Sequence, residues 1–189
     1  MERKSPTEML EAEHHIIQKI VGAMAVMAEA LESGHEVNAE TLAGVVEFMR
    51  IFADKCHHGK EEIHLFPLLE QRGVPARGCP LAVLTHEHDR GRTLVGQMSE
   101  AIDAYRRDGA AGRAPLTKSL RALVDLYPGH IWKEEYLLFP MTNKILNVEE
   151  QAALRQQFEA VEEGIGRDMH ARLERLAQQI EAQASTASG

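Results

Sequence analysis

The segment HHGKEEIHLFP at residues 57–67 returns as HIWKEEYLLFP at residues 130–140. Seven of the eleven positions are identical, at an offset of 73 residues. A fainter echo, at an offset of 74, pairs Glu13 and His14 with Glu87 and His88, and Val21, Gly22 and Met24 with Val95, Gly96 and Met98. The chain therefore reads as two copies of one helical hairpin, each carrying a lone His and then a His-x-x-x-Glu. Residues four apart share one face of a helix, with Cβ atoms about 5 to 6 Å apart. His57 with Glu61, and His130 with Glu134, can each aim an imidazole and a carboxylate at one spot.

Helix breakers set the frame around the repeat. Ser5 and Pro6 open a first helix that stops near Gly34, and Asn38 opens a second that reaches Gly73. Gly78, Cys79 and Pro80 precede a third, ending near Gly109; Pro115 opens a fourth, ending near Asn147. Asn147 with Glu150 reads as a capping box for a fifth helix to about Gln183. Long helices with short links predict an all-α antiparallel bundle over residues 1–147, a further C-terminal helix over 148–183 and a disordered tail over 184–189. The C-terminal helix is expected to pack on the bundle or to join two copies as a homodimer.

The apolar seams place two of the histidines. Leu10, His14, Ile17, Val21, Met24, Ala28 and Leu31 step by four and three without a break, as do Leu81, Leu84, His88, Gly91, Val95 and Met98. One imidazole interrupts each stripe. The bundle then converges His14, His57, Glu61, His88, His130 and Glu134 on its axis. Burying four imidazoles and two carboxylates without a cation would cost several kcal/mol each, so the pattern points to metal. Carboxylates bridge hard cations, and neutral imidazoles suit iron, zinc or manganese. Two six-coordinate ions with those six side chains and a shared oxo or hydroxo would keep about two positions open. Glu62 and Glu135 stand as alternatives to Glu61 and Glu134. The turn through His58 and Glu62 also carries Glu47 and Asp54, and is expected to face solvent. His64 is expected on the inward face as a core or supporting polar group. Lys60 and Lys133 are expected to snorkel or to pair with acids rather than act as bases, and Cys56 to be a small core residue. The three tyrosines, Tyr105, Tyr127 and Tyr136, are expected to pack structurally.

Composition narrows the function classes. The chain has 189 residues, 26% charged and 44% hydrophobic, with a formal net charge of -8. No basic block offers a phosphate-binding footprint, so nucleic acid is not an expected partner. No run of 18 apolar residues suggests a membrane span, and the first residues, MERKSPTEML, do not read as a secretory signal. Cys56 and Cys79 make no disulfide framework. A cytoplasmic location is the expectation.

The doubled motif, with Glu13-His14 and Glu87-His88, resembles the hemerythrin-like family, also called the HHE cation-binding domain. That resemblance implies an up-down-up-down bundle holding a non-haem di-iron centre. It also implies a small ligand such as O2, NO or peroxide, and a protein that binds or senses a diatomic ligand or the iron and redox state. Peroxide or NO turnover, and iron donation for iron–sulfur repair, are the family's other activities. No catalytic residue beyond the ligands stands out, which favours a binding protein over an enzyme. Oxygen-carrying hemerythrins use five His, with a His-x-x-x-His on the third helix. Here Leu84 and Arg92 stand four residues before and after His88. The four-His, two-Glu set is more similar to the iron-sensing and repair branches.

Overall fold

The computed structural model describes residues 4–186, all of whose regular elements are helices. Helix α1 spans Pro6–Glu32. Ser5 caps it: its Oγ accepts from the Glu8 N–H at 3.3 Å, and the Glu8 carboxylate accepts the Ser5 N–H at 2.6 Å. Two of the orphan donors at the helix start are satisfied reciprocally. Helix α2 runs over 39–71, with the Asn38 side chain accepting from Glu40 N–H at 2.8 Å. Helix α3 spans Leu81–Arg107, and α4 runs over 109–145. Helices α5 (Val148–Ile165) and α6 (Arg167–Thr186) complete the chain.

Two apolar clusters fix the directions of the rods. Leu10, Leu65, Leu84 and Leu138 meet in the smaller cluster, and Ile17, Ala53, Val95 and Ile131 in the larger. Going along the chain, α1 and α3 leave the smaller cluster for the larger, whereas α2 and α4 run the other way. The bundle is therefore up-down-up-down, and His14, His57, His88 and His130 fall between the clusters in one polar layer.

The two long inner rods are not regular α-helices. In α2 the stretches Met49–His58 and Glu61–Leu65 are π-helical, and in α4 so is Glu134–Leu138. Phe66 N–H bonds to Glu61 O and Phe139 N–H to Glu134 O, each five residues back. The proline that follows each of them has no N–H to give, and its ring would clash with the carbonyl four residues back. The wider π turn just ahead accommodates both defects. The same sequence, E-E-x-x-L-F-P, produces the same distortion twice.

Three expectations need correction. Helix α4 begins at Gly109, not at Pro115, because Asp108 is the N-cap and accepts from the N–H groups of Ala110 and Ala111 at 3.1 and 3.2 Å. The α3–α4 link is thereby so tight that a Cβ on Gly112 would lie 2.3 Å from the backbone of Tyr105. The fifth helix is interrupted at Gly166, whose φ of 103° is left-handed, so the C-terminal segment folds as two helices. The expected tail is helical through Thr186, with Ala184 buried; residues 187–189 lie outside the described residues.

Both C-terminal helices pack on the bundle. Leu154 and Phe158 of α5 join the smaller cluster, and Leu173, Ala177 and Ile180 of α6 join the larger. Among the described residues, no helix is long and apolar enough to cross a membrane.

Candidate metal centre

Each rod contributes to the layer between the clusters: His14 from α1, His57, His58 and Glu61 from α2, His88 from α3, His130 and Glu134 from α4. All seven side chains are at most 3% exposed. Glu134 spans the layer. Its Oε2 lies 3.0 Å from His14 Nε2, and its Oε1 lies 3.1 Å from His130 Nε2 and 3.6 Å from His88 Nε2. Glu61 Oε2 lies 3.4 Å from His88 Nε2 and 3.9 Å from His57 Nε2. The six residues expected from the sequence are thus brought together.

The far nitrogens of four imidazoles rest on carboxylates. His14 Nδ1 meets Glu135 at 2.9 Å, His57 Nδ1 meets Glu13 at 3.0 Å, His88 Nδ1 meets Glu62 at 2.6 Å, and His130 Nδ1 meets Glu87 at 3.1 Å. A carboxylate accepts, so Nδ1 carries a proton, which leaves each Nε2 as the inward nitrogen available to a cation. The arrangement follows the repeat. Glu13 and Glu87 back the next His of their own hairpin, whereas Glu62 and Glu135 back the lone His of the other. Lys60 and Lys133 donate to Glu13 and Glu87 at 2.5 and 2.7 Å, which pairs both lysines with acids as expected. Glu62 and Glu135 are partly exposed and already engaged, while neither oxygen of Glu61 or Glu134 has a hydrogen bond. The geometry therefore favours Glu61 and Glu134 over their neighbours as the inward pair.

His58 was not expected here. It is buried, not solvated, and its ring stacks on His88 with centroids 3.8 Å apart and meets His130 edge-on at 5.7 Å. The π-helical stretch Met49–His58 carries two consecutive histidines into one layer, which a uniform α-helical phase does not anticipate. One signal was available: the repeat partner of His58 is Ile131, a buried apolar residue. His64 is also displaced from the expected position. It is half-buried in a groove shared with Pro67, Leu68, Glu150, Leu154 and Gln157, between α2 and α5. Tyr105 and Tyr127 are buried and Tyr136 is exposed; the Tyr127 ring lies 6.1 Å from His130.

Without a cation the layer is electrostatically unsatisfied. The Nε2 atoms of His14 and His57 face each other at 3.1 Å. Both nitrogens of His58, the Nε2 of His88 and of His130, and all four oxygens of Glu61 and Glu134 are buried without a hydrogen bond. Burial, together with the charge of Glu134, pushes the Glu61 carboxyl well above its ordinary range. Burial acts on Glu134 in the same direction, but His130, His14 and His88 outweigh it and hold that carboxyl low. Burial brings His57 down to about 4, despite the carboxylate of Glu13. Burial and the neighbouring imidazoles carry His58 well below its usual value. Both are neutral at pH 7, the form in which an imidazole donates to a metal. For His130, burial is outweighed by Glu134 and Glu87, and its value rises to about 9.

Ligating atoms group in two separate sets, His14, His57 and Glu134, and His58, His88 and His130; a third, Glu61, His88 and Glu134, shares a member with each. Within each set the atoms lie within 4.8 Å of one another, a spread that a single cation can span. A cavity of about 260 Å³ between α2, α3 and α4 reaches His58, lined also by Gly91, Arg92, Gly96 and Tyr127.

Comparison with known proteins agrees with the chemistry. The family model described as hemerythrin HHE cation-binding domain matches residues 5–142. Two relatives, both named as uncharacterized proteins, are Rv1995 of Mycobacterium tuberculosis strain H37Rv and Mb2018 of Mycobacterium bovis. Each is 25% identical over 152 residues, covering 80% of this chain and 59% of the relative. The chain thus spans about three-fifths of the length of those relatives. No solved structure matches it significantly.

Proposed function

The chain belongs to the hemerythrin HHE cation-binding domain family, and from that premise we propose that it holds two iron ions and takes up a small diatomic ligand, O2 or NO, as a binding or sensing protein. The ligands in this reading are His14, His57, His58, His88 and His130, with Glu61 and Glu134 shared between the ions. The observation that carries it is the convergence of five buried imidazoles and two buried carboxylates without a hydrogen bond on one layer, with four imidazoles locked from behind by carboxylates. Second-layer carboxylates of this kind fix ring orientation and raise ligand basicity. Zinc or manganese would suit the same donors, and availability decides between them.

Five imidazoles, two bridging carboxylates and one shared oxo or hydroxo fill all but about one position of two octahedra. Of the residues that would hold the ions, His14 and His57 stand on one side with no third imidazole, so that side would leave room for the ligand. Paired ferrous ions would supply an electron-rich site to which O2 or NO can add. This chain's own residues would fix the imidazole rings, hold His57 and His58 neutral, exclude bulk water and admit only small molecules. Among the described residues, the buried base outside the ligand set, Lys60, is held by Glu13 and Glu162, which favours binding over turnover.

Metal analysis with visible spectroscopy tests the reading. The expected result is two equivalents of iron per chain and an oxo-bridged ferric spectrum. The ferrous form should then take up NO or O2 reversibly. Absence of stoichiometric metal would overturn the metal centre. Catalytic consumption of peroxide, or irreversible bleaching in one cycle, would overturn the binding role and favour an enzyme.

A further inference from the structure

The two halves of the repeat are unequally sheltered. Lys60 and Lys133 occupy the same position in the motif and do the same thing, each donating to the glutamate behind a histidine. Lys133 is 26% exposed and completes its shell on the carbonyl of Gly129 at 2.9 Å. Lys60 is fully buried and completes its shell on the carboxylate of Glu162 at 2.6 Å. Glu162 belongs to α5, beyond residue 142 where the family match ends. The ammonium of Lys60 also lies 5.9 Å from the ring of Phe158 on the same helix.

Helix α6 converges on the same carboxylate. His170 turns its Nε2 toward Glu13 at 3.8 Å, and its ring leans on Phe52 at 5.0 Å. The thiol of Cys56 approaches Glu13 at 3.8 Å as well. This cluster is not a vacant cation site, because the ammonium of Lys60 already holds Glu13 Oε1 at 2.5 Å. It is an ion network built around one carboxylate, and that carboxylate orients His57. Nothing in α5 or α6 plays the corresponding part at Glu87, which pairs with His130 and Lys133 alone among the described residues.

We propose that α5 and α6 form a one-sided clamp on the metal centre, with Glu162 as its positioning residue. Glu162 pins Lys60, Lys60 pins Glu13, and Glu13 fixes the ring of His57, so that the ion on the His14 and His57 side is held more firmly than the bundle alone would hold it. A buried ammonium needs its acceptors, because an unpaired charge in a dry site is strongly unfavourable. If Glu162 is removed, Lys60 keeps one acceptor and is drawn toward solvent. Glu13 then loses its anchor, and His57 loses its fixed tautomer. The Lys133 pair lies on the other half and cannot compensate. The inference rests on the dinuclear reading above.

Loss of an orienting carboxylate typically lowers metal affinity 10- to 100-fold. Glu162 acts one step further out, and about a threefold to tenfold effect is expected on that scale. The full chain, loaded with two equivalents of Fe(II), would be challenged with excess chelator, and the release of each equivalent followed. Glu162→Ala should accelerate one equivalent about threefold to tenfold and leave the other unchanged. Glu162→Gln, which keeps an oxygen for Lys60, should restore most of the wild-type rate. Equal acceleration of both equivalents would mean mere loosening of the fold, and no acceleration of either would mean no clamp; both results overturn the proposal. In metal-free protein, nitrogen NMR of the histidine rings gives an independent readout: Glu162→Ala should shift His57 and leave His130 in place. An unmoved His57 signal overturns the clamp even if metal is bound. A wild-type chain that fails to hold two equivalents instead removes the dinuclear reading, and the clamp with it.

Discussion

Glu61→Met should stabilise the metal-free protein and at the same time destroy its paired metal binding. Glu61 is 0% exposed, and neither of its carboxyl oxygens has a hydrogen bond. Burial and the adjacent charge of Glu134 keep it protonated, so the metal-free protein loses no ion pair when it is replaced. A buried polar group without a partner costs about 1 to 3 kcal/mol. A methionine of similar length removes that penalty and fills the same space. In a domain of this size each kcal/mol moves Tm by about 2 to 4 °C, so a rise of about 2 to 12 °C is expected. The assay is a thermal melt in chelator, repeated with added Fe(II) or Zn(II). The wild type should gain about 2.7 kcal/mol when free metal reaches a hundredfold excess over Kd. The variant should lose most of that gain, because one of the two shared carboxylates is gone. The reasoning fails if the variant melts below wild type in chelator, since Glu61 must then be satisfied without metal. It fails equally if the variant binds two equivalents undiminished.

His58→Leu should weaken the ion on the His88 and His130 side while leaving the fold intact, because Ile131 shows that the equivalent position accepts a buried aliphatic chain; titration should find only one tight equivalent. Gly112→Ala should cost about 1 to 3 kcal/mol or more, since the added Cβ meets the Tyr105 backbone, which cannot step aside as a side chain could; a denaturant midpoint measures it. Metal-free protein should be most stable near neutrality. His57 falls to about 4 in the fold, so the unfolded chain binds more protons between roughly pH 4 and 6.5, and stability drops as pH falls through that window. Burial pushes Glu13 up, but His170, His57 and Lys60 outweigh it; its low folded value adds a loss as pH falls below about 4.3. His130, raised to about 9, acts in the opposite sense and withdraws stability as pH climbs from 6.5 toward 9. Denaturant melts at pH 4.5, 5.5, 7 and 9 would show the optimum, and a flat profile would contradict these assignments.

What the sequence made legible was whatever obeys a fixed period. The four-and-three seams place His14 and His88, and the i,i+4 pairs place Glu61 and Glu134 against their histidines. The capping box at Asn147 forms as its spacing implies, and Ser5 caps the first helix as expected. His58 was hidden because its exposure depends on phase, and the phase of α2 changes at Met49, where the turn widens. No propensity encodes that change; only the apolar repeat partner Ile131 hinted at it. The start of α4 was misplaced for a local reason: Asp108 is a strong cap, and Pro115 fits inside the helix that follows. The break at Gly166 had a visible cue in Gly164 and Gly166, but nothing in the pattern said that either would adopt a positive φ.

The order of residues in H-x-x-K-E-E follows from how the two hairpins close on each other. The His and the first Glu face the metal layer, the Lys anchors the glutamate behind that same His, and the second Glu backs the lone His of the opposite hairpin. Neither hairpin alone can orient all of its own imidazoles, so assembly of the bundle and formation of the metal layer are one event. Such a ring would be symmetric if the repeat were perfect. Two departures break it in opposite senses. His58 in place of an aliphatic residue adds a donor to the His88 and His130 side. Glu162 and His170, from outside the repeat, stiffen the His57 side without adding a donor to it. One position is therefore richer in ligands and the other is held more firmly from behind. In the proposed dinuclear centre that combination would suit an exchangeable ligand at one ion, because the ion with the open place would be the one whose remaining ligands are least free to move.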